Sequence, residues 1–182
     1  WNTLEIPRFR RLFPGVPFVF NFRDPAEVLV SQMTQPGAWT LLDALPPEMF
    51  GIAAREVGTL MRDEYCARAV AAICAAGVQA AATGDVLPVN YTELPGAILT
   101  RIASHFRLEL DESQRSSLEL TTQFDAKRPG YVFERDSDRK HEAAAGRLRE
   151  LADRWIGSDY VRLNAFAMRK PEVSLGERVN SQ

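Results

Sequence analysis

Residues 17–31, with the sequence PFVFNFRDPAEVLVS, constrain the fold more than any other stretch of the chain. The stretch opens with six mostly apolar residues, and such a run flanked by prolines is typical of a buried β-strand. Asp24, Pro25 and Glu27 follow at once and suit the N-cap, first and third helical positions of a capping box. The pattern predicts a strand, a sharp turn and a helix. Arg23 then lies at the carboxyl end of the strand, where ligands collect in open α/β sheets.

A second strand is predicted at residues 86–90, VLPVN. The region before it, residues 47–82, has apolar residues at helical spacing, and its glycines predict a break into two helices. The apolar stripe comprises Phe50, Ala53, Val57, Leu60, Met61, Tyr65, Val70, Ile73 and Val78. Because a long helical connection precedes the second strand, the two strands are expected to be parallel.

Other helices are predicted by the same spacing and by capping residues. They cover residues 7–13, 26–35, 93–106, 111–120, 138–155 and 159–168. Residues 121–137 are expected to be irregular, and residues 170–182 a loosely ordered tail. The chain is therefore predicted to be one α/β domain, residues 1–169, in which most residues are helical.

Composition excludes several classes of function. A net charge of −2 over 182 residues argues against a broad nucleic-acid surface. The longest uncharged run, residues 69–84, falls short of the roughly 20 apolar residues that a membrane-spanning helix needs. Cys66 and Cys74 lie two helical turns apart, so no disulfide is expected between them. Free thiols fit a reducing compartment, and a cytoplasmic location is predicted.

Arg23 and Ser31 form the first candidate site. A long arginine leaving the strand end can share one anion with a hydroxyl about two helical turns, or roughly 10 Å, further along. Asp24 would repel an anion at the helix N-terminus, so a phosphate should bind beside the helix. In the alternative, Arg23 pairs with Asp24 or Glu27 and Ser31 is a small packed residue. On this pattern alone, the alternative is the stronger.

A second candidate site lies in the irregular segment, where cations alternate with aromatic residues. The cations are Lys127, Arg128, Arg135, Arg139 and Lys140, and the aromatic residues are Phe124, Tyr131 and Phe133. Such a segment could fold over an anionic ligand and stack on its base. Four acidic residues dilute the positive charge, and a solvated loop of mixed charge is the usual alternative.

The pattern of residues assigns no reaction. His105 and His141 both lie in predicted helices and are more often packed or solvated than catalytic. The sequence has no metal-binding spacing, no nucleophile elbow and no G-x-x-x-x-G-K-[ST] loop. The residues by themselves indicate an α/β domain that binds an anion.

Five segments, in order, resemble the sulfotransferase family that uses 3′-phosphoadenosine 5′-phosphosulfate as its donor. FRDPAEVLVS resembles the family's 3′-phosphate-binding motif, and VNYTEL its strand-end Tyr-Glu-Asp-Leu segment. TRIASHFRLEL is similar to the helix that follows, and TTQFDAKRPG to the Thr-Ser-Phe-Asp-x-x-Lys stretch. VFERDSDRK occupies the place of the basic Arg-Lys-Gly loop. The likeness is closest to bacterial members and covers nearly the whole chain.

The resemblance implies a P-loop-kinase-like parallel sheet flanked by helices and a donor nucleotide without a metal. It assigns the 3′-phosphate to Arg23 and Ser31, the adenine to Tyr91, Thr122 and Phe124, and the basic loop to Lys127 and Arg135. The acceptor would be an unidentified small molecule or saccharide with a hydroxyl or amine. No residue is assigned a catalytic role.

The family's 5′-phosphosulfate loop, with its catalytic lysine, has no counterpart in the sequence. In the family the strand that carries this loop lies between the two strands predicted here. We therefore expect the 182-residue chain to be inactive by itself. One alternative is a non-catalytic nucleotide-binding or protein-interaction module. Another is a relative of the P-loop kinases that binds ATP.

Overall fold

A two-stranded parallel sheet lies at the centre of the computed structural model, which describes residues 2–42, 44–84, 86–122 and 146–169. Strand β1 is Phe18–Phe22 and strand β2 is Val86–Asn90. They pair in register, from Phe18 opposite Val86 to Phe22 opposite Asn90. Both predicted strands and their parallel direction are confirmed, and their carboxyl ends meet at one edge of the sheet.

Helices make up most of the described chain. They are α1 Ile6–Leu12, α2 Pro25–Thr34, α3 Ala54–Val57, α4 Arg62–Ala82, α5 Ala103–His105, α6 Glu112–Thr121, α7 Arg147–Trp155 and α8 Gly157–Ala167. Short 3₁₀ turns occupy Asn2–Glu5, Ala38–Thr40, Pro47–Phe50 and Tyr91–Glu93, and a π-helix occupies Ile98–Ile102. A mostly helical chain with a small parallel sheet agrees with the broad α/β class that was predicted.

The order of the strands differs from the arrangement that the resemblance implies. In the sulfotransferase family a further strand separates the two, whereas here β1 and β2 are hydrogen-bonded neighbours. Pro88 lies in the middle of β2, and proline is confined to positions where its missing N–H is not needed. Within the described chain the sheet consists of these two strands, and β2 is an edge strand, where a proline is tolerated.

The main core lies on the face of the sheet that carries Phe20 and Phe22, which are 8% and 5% exposed. Helix α4 crosses this face so closely that a Cβ at Gly77 would lie 2.3–2.8 Å from ring atoms of Phe20. Tyr160 of α8 packs edge-on against Phe22 with 5.9 Å between ring centroids. Gly77, which weakens the helix in isolation, is the residue that lets α4 rest on the sheet.

Two predicted helices are wrong in extent. Residues 93–106 form no continuous α-helix, because Leu94 and Pro95 lie in a turn and the helical residues run only from Gly96, through the π-helix, to His105. The predicted helix 138–155 is wrong at Gly146, whose φ of +72° is not helical, and α7 begins with the next residue, Arg147. Residues 138–145 and 170–182 lie outside the described residues.

The break predicted within residues 47–82 is confirmed, since a 3₁₀ turn and α3 precede α4. Met61 is the exception in the apolar stripe, because it is 67% exposed. It occupies the N-cap position of α4, where the backbone is extended and the helical spacing no longer applies. The apolar stripe therefore identifies the residues of α4 that face the core, but it fails at Met61, which precedes the helix.

Helix α4 is long and apolar enough to cross a membrane by length and composition, with a mean hydropathy of 1.4 over an 18-residue window. More than half of that window, 56%, is buried against the rest of the fold, as in a core helix. Both of its cysteines are free and buried, and burial raises the pKa of Cys66 and of Cys74 to about 12. The prediction that no disulfide joins them is confirmed.

Candidate functional site

Arg23 and Tyr91 meet where the two strands end. Each residue directly follows its strand, and the register that pairs Phe22 with Asn90 places them opposite each other. The guanidinium carbon of Arg23 lies 4.6 Å from the centroid of the Tyr91 ring, within the range of a cation–π contact. The structure thus brings together two of the predicted site residues, and we call this place the strand-end site.

Glu27 also belongs to the strand-end site. Its carboxylate accepts a hydrogen bond from Nε of Arg23, and the two side chains are only 5% and 17% exposed. Asp24 caps α2 as predicted, since its Oδ1 accepts from the backbone N–H of Ala26 at 2.9 Å and of Glu27 at 3.2 Å. The Arg23–Glu27 pair that the sequence offered as an alternative to anion binding therefore forms.

Ser31 lies on the same face of α2, one turn beyond Glu27. Residues four apart in a helix are neighbours on its surface, so Glu27 stands between Arg23 and Ser31. Ser31 is half-buried. An anion held by both Arg23 and Ser31 would share the guanidinium with the Glu27 carboxylate.

Of the remaining predicted site residues, the structure describes only Thr122. Thr122 ends α6, where its hydroxyl donates to the carbonyl of Glu119 at 2.9 Å, and it has no hydrogen bond to Arg23 or Tyr91 within the described chain. Phe124, Lys127 and Arg135 lie outside the described residues.

Polar contacts hold the end of β2, which carries Tyr91. The amide of Asn90 donates to Oδ1 of Asn164 at 2.9 Å, and its own Oδ1 accepts from the N–H of Thr92 at 3.0 Å. Glu93 accepts the N–H of Asn90 at 2.8 Å and pairs with Arg101. These hydrogen bonds hold the backbone on both sides of Tyr91, so the place of its ring beside Arg23 is fixed before any ligand binds.

His105 has a structural contact at the far end of β1. Its Nε2 lies 2.9 Å from the carbonyl oxygen of Phe18, at the start of the strand and away from Arg23. His141 lies outside the described residues. Among the described side chains, no group of three or more His, Cys, Asp or Glu residues could hold a metal ion.

Arg149 is a basic residue near the strand-end site that the sequence did not indicate. Its Nη1 lies 3.5 Å from Oδ2 of Asp24, and its side chain is 38% exposed. The two residues are 125 positions apart, and no local pattern connects them. Only the packing of α7 against α2 brings Arg149 there.

Two cavities lie along α1 and away from the strand-end site. One, of about 390 Å³, is lined by Asn2, Glu5, Arg8, Phe9 and Leu12. The other, of about 230 Å³, lies between α1 and α4. Neither is lined by Arg23 or Tyr91, so the predicted nucleotide site coincides with neither cavity.

No protein-family model, no curated protein and no solved structure matches this chain. The likeness to sulfotransferases therefore depends on the order of motifs in the sequence, and the function has to be argued from the strand-end site.

Proposed function

We propose that this chain supplies the 3′-phosphate-binding part of a sulfotransferase that uses 3′-phosphoadenosine 5′-phosphosulfate. The observation that carries the proposal is the contact between Arg23 and Tyr91 at the carboxyl ends of two parallel strands, where α/β sheets bind ligands. In this proposal Arg23 and Ser31 bind the 3′-phosphate, and the Tyr91 ring lies beside the adenine. The acceptor is an unidentified small molecule or saccharide, and no metal takes part.

The chemistry of the residues supports anion binding of moderate strength. A guanidinium offers a planar fork of donors that fits phosphate, and a serine hydroxyl adds a neutral donor. The Glu27 carboxylate opposes binding, because it already accepts from Nε of Arg23. A phosphate therefore binds in competition with Glu27, which favours a multiply charged ligand over a monoanion.

A second candidate function is a nucleotide-binding or protein-interaction module without catalytic activity. The direct pairing of β1 with β2 favours it, because no strand separates them to carry a phosphosulfate loop. Both candidates share the same phosphate site. Both also fit a cytoplasmic location, which we propose from the two free, buried cysteines.

Calorimetry with two nucleotides tests the shared site. Adenosine 3′,5′-bisphosphate and 5′-AMP differ only in the 3′-phosphate, so the ratio of their dissociation constants isolates that group. Since a hydrogen bond to a charged group contributes about 1.5–3 kcal/mol, we expect a preference of about 10- to 100-fold for the bisphosphate. Arg23→Ala should bring the ratio close to one.

Arg68→Ala is the matched control. The Arg68 side chain is also 17% exposed, pairs with Glu56 at 3.0 Å and lies 5.2 Å from the ring centroid of Trp155. This variant should keep the nucleotide preference of the wild type. If Arg23→Ala and Arg68→Ala give the same ratio as the wild type, the proposed site is refuted.

A further inference from the structure

The surface at the end of helix α1 exposes a group of apolar side chains. Leu12, Phe13 and Val16 are 60%, 53% and 48% exposed. They lie together, because the N–H of Val16 donates to the carbonyl of Phe13 at 3.3 Å in the turn that follows the helix. Apolar side chains that are exposed singly are ordinary, whereas a contiguous exposed group is typical of a surface that meets a partner.

Two exposed arginines lie beside these apolar side chains. Arg8 is one helical turn before Leu12 and shares its face of α1, and Arg11 directly precedes Leu12. Arg8 lies 3.7 Å from the Glu5 carboxylate, in a surface ion pair that holds the arginine weakly. Residues 6–22 contain three arginines and no acidic residue, so this surface is positively charged. The basic–apolar corner comprises Arg8, Arg11, Leu12, Phe13 and Val16.

The opposite face of α1 is anchored on the fold and keeps the basic–apolar corner outward. Ile6 is buried in the main core, and Nη1 of Arg10 donates to Oγ1 of Thr83, just after α4, at 3.0 Å. The helix cannot turn its exposed residues towards the core without losing these contacts. The cavity of about 390 Å³ lies along the exposed side, since its lining includes Arg8 and Leu12.

A membrane with anionic lipids presents both kinds of complementary group at one surface. Its headgroups attract arginines, and the boundary with the acyl chains takes up apolar side chains. A nucleic acid would match the arginines but would leave the three apolar side chains in water. A second copy related by a two-fold axis would bring two positively charged corners together, which repulsion opposes. The composition of the corner therefore favours an anionic bilayer over both.

We propose that the basic–apolar corner docks the protein on the surface of a membrane that contains anionic lipids. Leu12, Phe13 and Val16 enter the boundary between headgroups and acyl chains, and the two arginines contact the anionic headgroups. The contact is peripheral and reversible, because so small a surface binds far more weakly than a membrane-spanning helix. The inference is independent of the proposed nucleotide, since it uses no residue of the strand-end site.

Co-sedimentation of the full chain with vesicles tests the proposal, using phosphatidylcholine alone or mixed with phosphatidylserine. The wild type should bind the mixed vesicles about tenfold more tightly than phosphatidylcholine alone, and added salt should weaken that binding. Arg8→Gln should lower the partition coefficient on mixed vesicles about fivefold, the effect of one basic residue at an anionic surface. Leu12→Gln should lower it about tenfold on the same vesicles, because an apolar side chain no longer enters the bilayer.

Two matched control variants come from other surfaces of the fold. Arg162, like Arg8, is an exposed arginine paired with an acidic residue three positions away, and its side chain is 61% exposed. Leu120 matches Leu12, with an exposure of 61% against 60%. Arg162→Gln and Leu120→Gln should bind the mixed vesicles as the wild type does.

Three vesicle results would overturn the proposal: no binding, equal binding to both kinds of vesicle, or losses in the control variants as large as those in Arg8→Gln and Leu12→Gln. Analytical ultracentrifugation tests the second copy as occupant. A dimer that Leu12→Gln dissociates, in a chain that does not bind vesicles, would also overturn the proposal and make the corner a contact between copies.

Discussion

Replacing Glu27 by alanine tests whether the Arg23–Glu27 pair is a buried, fixed contact. The two side chains are 17% and 5% exposed, so the substitution leaves a guanidinium with little access to water. Removing one partner of a fully buried pair costs about 3–5 kcal/mol. Because Arg23 keeps some solvent exposure and its stack on Tyr91, we expect a loss of about 2–3 kcal/mol in the free energy of unfolding. For a domain of this size this corresponds to a fall in Tm of about 4–12 °C.

The surface pair of Glu5 and Arg8 is the control for this prediction. Its nitrogen–oxygen distance is 3.7 Å and its side chains are 33% and 69% exposed, so Glu5→Ala should change stability by less than about 0.5 kcal/mol. Urea denaturation of the single and double variants of each pair, as a double-mutant cycle, isolates the coupling energy. A coupling energy for Arg23 and Glu27 as small as that for Arg8 and Glu5 would refute the buried contact.

Three further predictions follow from the core and the surface of the fold. Gly77→Ala should destabilise the chain by about 1–2 kcal/mol in urea denaturation, because overpacking outweighs the gain in helix propensity. Gly58→Ala should be neutral, because a Cβ at Gly58 would meet no atom within 4 Å, and equal effects of the two variants would contradict the close approach of α4. Arg147 donates to Asp63 and so lowers the pKa of that carboxyl below its usual 3.8. The stability advantage of wild type over Asp63→Asn should therefore be full at neutral pH and shrink as the pH falls below that value, and an advantage that does not change with pH on either side of it would argue against the pair. Both cysteines, with pKa values of about 12, should resist a thiol reagent until urea unfolds the chain, whereas rapid labelling in native buffer would contradict their burial.

Local signals in the sequence were sufficient for the two strands and for the place of Arg23. The apolar run before Arg23, the capping residue Asp24 and the long connection to the second strand all follow from short-range chemistry. Together they predicted two parallel strands with Arg23 at the end of the first. Tyr91 was indicated only by the resemblance, and its contact with Arg23 was not predicted. The starts of helices were less accurate, because the apolar spacing placed Pro95 and Gly146 inside helices that begin only after these residues in the structure.

Long-range packing could not be predicted from one sequence. The choice of Glu27 as the partner of Arg23 was open, because Asp24 and Glu27 are both within reach of the arginine. The approach of Arg149 to Asp24 joins residues 125 positions apart and depends on how α7 docks. The close packing of Gly77 on Phe20 likewise has no signal beyond a glycine in a helix. In each case the deciding contact comes from tertiary structure.

The position of the nucleotide in a crystal structure of the complex with adenosine 3′,5′-bisphosphate tests the central claim most directly. The account predicts a 3′-phosphate oxygen within about 3.2 Å of a guanidinium nitrogen of Arg23 and of the Ser31 hydroxyl, with the adenine beside the Tyr91 ring. A nucleotide bound elsewhere, with Arg23 still held only by protein side chains, would contradict it.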